Sequence, residues 1–239
     1  MRTFHCAQRS EEWFELHIGR VTASYMADVL DFKKTGDKGP GAKRLAYMGK
    51  KVAETITGLM DMTGYVSPAM QWGNEHEDEA RQAYELTRKT VVDEIGFAIH
   101  PEIERFGASP DGLISNNGLL EIKCPETSTH IRWIMGGVVP DEHRPQMFAQ
   151  MSVLGRDWCD FVSYDPRLTR RYQLFIPPPL NATTEAILEV ETHVRQFLGE
   201  MDAMIQRLGE LCPQLEEEEK APKMTLDMYL SDKELENYI

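Results

Sequence analysis

The chain has 239 residues, 41% of them apolar and 27% charged, with a net charge of −13. That length and apolar share fit an ordinary globular chain of one large domain, or one domain with extensions, with ample length for a core. No apolar run approaches the roughly 18–20 residues of a membrane span, and the opening MRTFHCAQRS has no signal-like apolar core, so a cytoplasmic protein is expected. Cys6, Cys124, Cys159 and Cys212 are scattered without a C-x-x-C pair; they read as reduced thiols, not a zinc site.

The acidity is uneven. Residues 209–239 carry nine acids against three lysines, whereas residues 31–51 carry seven Lys or Arg against two acids. A polyanion responds to a local basic patch more than to the total, so the net charge does not exclude nucleic acid. A solvated basic loop and helix face is the plainer reading of the same residues.

In chain order, Ser10 before Glu11 and Glu12 predicts a helix N-terminus, with Gly19 near the end. TASYMADVL predicts a short second helix capped by Thr22 or Ser24. Residues 31–41, rich in Lys, Gly and Asp, predict a loop. A helix over 42–58 ends at Gly58, and one over 67–89 starts with Ser67 as cap and Pro68 in the first turn. From residue 90 the period changes: TVVDEIGFAI, RFGASPDGLI and GLLEIKCP predict strands, with SNNG (115–118) as a hairpin turn. Helices are expected near 127–135 and 142–154, then strands CDFVSYDP and RRYQLFIP, then a long helix over 181–208. This order predicts an α/β (mixed α+β) fold with a central mixed sheet flanked by helices. The expected division is one domain over 1–208, helical in 1–90 and sheet-based in 91–208, followed by an acidic tail, 209–239.

The chemistry is densest in SPDGLISNNGLLEIKCP. Alternate side chains of a strand share a face, so Glu121 and Lys123 point one way and Leu120, Ile122 and Cys124 the other. The hairpin brings Asp111 alongside. Two carboxylates converging on one point suit a hard cation such as Mg²⁺ or Mn²⁺, and an adjacent lysine suits metal-assisted phosphodiester hydrolysis. Taken singly, Ser-Pro-Asp-Gly is an ordinary turn and Glu-x-Lys an ordinary solvent face. A third acid is available in WGNEHEDEAR, but spacing does not choose among Glu75, Glu77, Asp78 and Glu79, and a solvated acidic face is the plainer reading. Seven histidines are scattered without an H-x-x-x-H pair, so none is assigned to metal. His130 and Arg132 follow the Glu121–Lys123 strand and read equally as DNA contacts or as plain surface residues; Trp133 and Trp158 read as core.

Asp111 and Glu121-x-Lys123 resemble the PD-(D/E)xK nuclease core, the restriction-endonuclease-like fold. The fuller set EEWFELHIGRVTAS, WGNEHEDEAR, SPDGL, LLEIKCP, Gln146 and FVSYDPR is similar to the bacteriophage lambda exonuclease family (YqaJ-like viral recombinases), in the family's order over about residues 8–175. The resemblance implies a Mg²⁺-dependent exonuclease, with Mn²⁺ able to substitute. Such an enzyme degrades one strand of linear double-stranded DNA from 5′ to 3′ and leaves a 3′ overhang for recombination. It implies a homotrimeric ring, a single-strand annealing protein as partner, and a phage or prophage setting in the bacterial cytoplasm.

Carried over by position, Asp111, Glu121 and the Ile122 backbone carbonyl match metal ligands, and Lys123 the catalytic lysine. Glu77 matches a further carboxylate at a second metal, and Gln146 a polar group beside the reacting water. Thr22 and Ser24 match the 5′-phosphate contact, and Met70 an apolar wedge that parts terminal base pairs. His17 stands where the family has an arginine in the phosphate pocket; Arg20 or Lys34 is expected to supply that charge, with Lys38 in the same matching basic loop. Two other readings remain: an endonuclease or helicase-associated nuclease on the same core, and a non-catalytic DNA-binding protein.

Overall fold

The computed structural model describes residues 2–34, 39–60 and 67–212. The chain divides into two compact units, Met1–Asp202 and Ala203–Ile239. Both sheets lie in the first. Of the expected acidic tail, residues 213–239 lie outside the described residues, as does Lys38.

The elements run β1 (Arg2–Phe4), α1 (Glu11–His17), β2 (Val21–Thr22), a 3₁₀ turn (Ala23–Tyr25), α2 (Met26–Val29), α3 (Ala42–Thr57), α4 (Pro68–Arg88), β3 (Val92–Asp93), β4 (Phe97–Ile99), β5 (Phe106–Ala108), β6 (Gly112–Ile114) and β7 (Gly118–Lys123). They continue with α5 (Thr127–Gly136), α6 (Arg144–Leu154), β8 (Trp158–Tyr164), β9 (Leu174–Phe175), β10 (Leu180–Asn181) and α7 (Thr184–Leu211). Ser10 and Ser67 cap α1 and α4, accepting from the Trp13 and Met70 N–H groups. Gly58 ends α3 at φ 69°. No described helix is long and apolar enough to cross a membrane.

One sheet has the order β1-β4-β5-β2, with β2 and β5 parallel. The other has six strands, β10-β8-β7-β6-β3 with β9 beside β8, and its central pair β7–β8 is parallel. The mixed sheets flanked by helices are as expected; the strand breaks are not. The apolar runs 90–99 and 105–114 each read as one strand, yet each is cut in two and passes from one sheet to the other. The first changes sheet at Gly96, whose N–H donates to the Phe4 carbonyl at 2.9 Å and where a Cβ would collide with the Cys6 carbonyl oxygen. The second changes sheet at Ser109-Pro110-Asp111, because Pro110 has no N–H to continue a ladder. β1 and β2 are additional short strands, RRYQLFIP contributes only Leu174–Phe175, and the last helix begins at Thr184.

The larger sheet is covered on both faces. On one, Ala80 and Tyr84 of α4 pack against Leu120, Ile122, Cys124, Val162 and Tyr164. Burying each large aliphatic there contributes about 1.5–3 kcal/mol. On the other, Trp133 of α5 meets Phe161 edge-on at 5.5 Å. The site described next sits at the end of the β6–β7 hairpin, between these layers.

Candidate active site

The hairpin forms as its turn sequence implies: Gly112 pairs with Leu120 and Ile114 with Gly118, antiparallel, with Ser115 at φ 51° in the turn. The ladder to β6 begins only at Gly112, opposite Leu120, so the Ile122 N–H lies beyond its last backbone pair. The Asp111 side chain takes its place, accepting from Ile122 N at 2.6 Å through Oδ2. That bond fixes Asp111 against the strand bearing Glu121 and Lys123.

Glu121 is fully buried. The Lys123 ammonium donates to its Oε1, and Gln150 of α6, also fully buried, donates to its Oε2 at 2.6 Å. Burial, and then the neighbouring Glu121 carboxylate, push Asp111 well above the ordinary aspartate range; Lys123 pulls the other way. Burial alone would lower the Lys123 ammonium, but Glu121 and Asp111 outweigh it and hold it above the usual lysine range.

The structure distinguishes the four acids of α4. Glu75 is exposed and accepts from Gln71 at 3.1 Å, Asp78 is exposed, and Glu79 accepts the Tyr164 hydroxyl at 2.7 Å. Glu77 is half-buried and pairs with Arg81 at 3.1 Å; burial raises its carboxyl, while Arg81, Lys123 and Arg9 oppose that. Glu77 is thus the α4 acid that feels the Lys123 and Glu121 charges. Asp111, Glu121 and Lys123 meet here, and the Glu77 charge acts on Asp111 and Lys123 from α4.

β2 and β5 are parallel with Thr22 opposite Gly107, so Ser24 and Asp111 leave their strands at the same end. Ser24 is exposed, with its Oγ 3.2 Å from Thr22 Oγ1; Thr22 is buried, and its N–H donates to the Tyr47 hydroxyl at 3.1 Å. Met70 is exposed on the first turn of α4. Gln146 is half-buried one turn before Gln150 on α6.

His17 and Arg20 are engaged in packing and backbone bonds and present no free charge to a phosphate. His17 is buried, its ring 3.6 Å from Trp13 and 4.4 Å from Phe97, and its Nδ1 is 2.6 Å from the Trp13 carbonyl. Burial lowers its pKa to about 4, which makes it a neutral packing residue near pH 7. Arg20 precedes β2, at the end of the strand away from Ser24. Its guanidinium is spent on the Leu16 carbonyl at 2.8 Å and the Glu104 carbonyl at 3.3 Å. Lys34 is exposed.

Two residues were missed by the sequence reading. Gln150 had a usable signal, because it follows Gln146 at i+4 on one helix face. Arg9 had none: it sits in a loop at φ 67°, donates to the Asn74 side chain and acts on Glu77.

Fold and site together define a nuclease of the PD-(D/E)xK kind. The chain belongs to the YqaJ-like viral recombinase domain family, whose model matches residues 12–157. It is similar to the crystal structure of an alkaline exonuclease, LHK-Exo, from Laribacter hongkongensis, at 42% identity and TM-score 0.78 over 87% of this chain and 100% of that one. LHK-Exo in complex with dAMP matches equally. A phage related exonuclease from Haemophilus somnus 129PT shares the fold at 16% identity and TM-score 0.60, over 79% of this chain and 96% of that one. No curated protein matches.

Proposed function

We propose that this protein is a Mg²⁺-dependent exonuclease. On this reading it degrades one strand of linear double-stranded DNA from 5′ to 3′, processively, and leaves a 3′ overhang for recombination by strand annealing. The observation that carries the proposal is the meeting of Asp111, Glu121 and Lys123 at one hairpin end; Glu77 of α4 is near enough to feel their charges. The family and the likeness to LHK-Exo support the nuclease class. A homotrimeric ring, a 5′-phosphate preference, a single-strand annealing partner and action in the bacterial cytoplasm rest on resemblance to the family.

The residues present fit a divalent cation. Among the described residues no three His, Cys, Asp or Glu side chains form a ready metal cluster. A Mg²⁺ site needs less: two carboxylates, a carbonyl and waters suffice. Asp111 and Glu121 supply the carboxylates, and their crowding, which drives Asp111 toward protonation, is relieved by a cation. Asp111, Glu121 and the Ile122 carbonyl would hold the ion, with Glu77 toward a second. The ion would lower the pKa of a bound water and screen the phosphate.

The chain's own groups do the rest. Gln150 fixes the Glu121 carboxylate, so one oxygen keeps its direction. Lys123, held protonated by its two neighbours, donates to the attacking water or the phosphate as negative charge develops. Resemblance to the family assigns Ser24 to the 5′-phosphate and Met70 to the terminal base pair, and the exposure of both side chains supports that reading. A timed digest of 5′-phosphorylated and 5′-hydroxyl linear duplex with Mg²⁺, beside a covalently closed circle, tests this. Nucleotide release from linear DNA alone, faster with the phosphate, is expected. Cleavage of the circle would favour an endonuclease, and no release at all a DNA-binding protein.

A further inference from the structure

α6 lays more than Gln150 along the site. His143 precedes its first turn, and positions 143, 146 and 150 stand at i, i+3 and i+7, which run along one helix face. The far end of that row, Gln150, holds Glu121. At the near end the His143 ring stacks on Phe161, centroids 5.3 Å apart at 24°, with Trp133 edge-on at 5.1 Å. Phe161 is the residue paired with Glu121 across β7–β8, and paired residues of neighbouring strands project to the same face. The stack therefore holds His143 over the sheet face that carries Glu121.

Its Nε2 is buried and has no hydrogen-bond partner among the described residues. A buried polar atom left unpaired calls for an occupant. Both Glu121 oxygens already receive donors, from Lys123 and Gln150. Among the described side chains none accepts from Nε2, which leaves a water or an oxygen that arrives with the substrate.

We propose that His143 is a further catalytic residue, its Nε2–H donating to a non-bridging oxygen of the scissile phosphate. This rests on the nuclease reading above. Two aromatic neighbours hold the ring, so its orientation is set before DNA enters.

The test is nucleotide release by the full chain from 5′-phosphorylated linear duplex with Mg²⁺, read as kcat and KM, with thermal melts of each variant. His143→Phe keeps the stack and removes both nitrogens. The expected result is a wild-type melt, a kcat lower by about 10- to 100-fold and a KM little changed, with His143→Gln recovering part of the loss. A Phe variant that melts and turns over like the wild type overturns the assignment. Should that variant misfold, His143→Gln and His143→Leu, matched in size, decide. Glutamine about tenfold faster supports the donor; equal rates overturn it. A wild-type protein that releases no nucleotide from any DNA overturns the nuclease reading itself, whereas an active wild type with an unaffected variant removes only the role of His143.

Discussion

Lys51–Glu54 on α3 and Lys123–Glu121 on β7 are both lysine–glutamate pairs taken largely out of water, and their surroundings differ. The Lys51 ammonium bonds Glu54 Oε2 at 2.7 Å and the His17 carbonyl at 3.2 Å, and the same Glu54 oxygen accepts the Gly19 N–H at 3.0 Å. One positive and one negative charge close on each other and pin the turn after α1 to α3. At the hairpin, one lysine faces Glu121, Asp111 and Glu77, and Arg81 offsets only the last. The balanced pair fastens two elements. The unbalanced one leaves negative charge that a cation can satisfy, which is why it reads as a site and the other as a clamp.

Replacing each lysine separates the two roles most sharply. Lys51→Met leaves Glu54 buried without its cation, so stability should fall by about 3–5 kcal/mol while the rate per folded molecule is kept. Lys123→Met should lower cleavage by about 10³-fold or more, yet melt close to the wild type in Mg²⁺, because the cation offsets the lost charge. Melts and initial rates on the same preparations check both.

Acid stability tests the clamp's neighbour. His17 has a folded pKa of about 4 against an ordinary 6.5, so the unfolded chain binds the proton first as pH falls. The neutral buried ring contributes stability above pH 6.5 that is lost toward pH 4, up to about 3 kcal/mol. Urea midpoints should fall over that window in the wild type and less steeply in His17→Leu.

Gln150→Leu should slow cleavage by about 10- to 100-fold, since Glu121 loses the bond that orients it. Gly19→Ala is the clamp's counterpart: at φ 64°, with a new Cβ 2.8 Å from Thr55 Oγ1, it should cost about 1–3 kcal/mol of stability and leave the rate alone. The last comparison concerns Asp111. Its raised pKa means the folded, metal-free protein holds a proton that the unfolded chain releases, so stability should decline as pH rises above the ordinary aspartate range. Melts in chelator should show that decline, and Mg²⁺ should remove it.

The parts of the site legible in the sequence were the local ones. Strand alternation and a hairpin turn bring Asp111 beside Glu121 and Lys123 within 13 consecutive residues. Which acid of α4 joins them depends on how that helix seats against β7, so spacing left it open. The neutrality of His17 depends on Trp13 and on Phe97, a partner 80 residues away. The same limit explains the fold. Apolar runs show that strands exist, but Gly96 and Pro110 divide them between two sheets, and the contact that excludes a side chain at Gly96 comes from Cys6.

The central claim is that Asp111 and Glu121 bind the cation and Lys123 acts after it is bound. Calorimetric titration of Mg²⁺ into the wild type, Asp111→Ala and Lys123→Ala, with nucleotide release from linear duplex measured on the same samples, tests it most directly. The account predicts that Lys123→Ala binds Mg²⁺ like the wild type and releases no nucleotide, while Asp111→Ala loses both. Turnover retained in Lys123→Ala, or Mg²⁺ binding unchanged in Asp111→Ala, would contradict it.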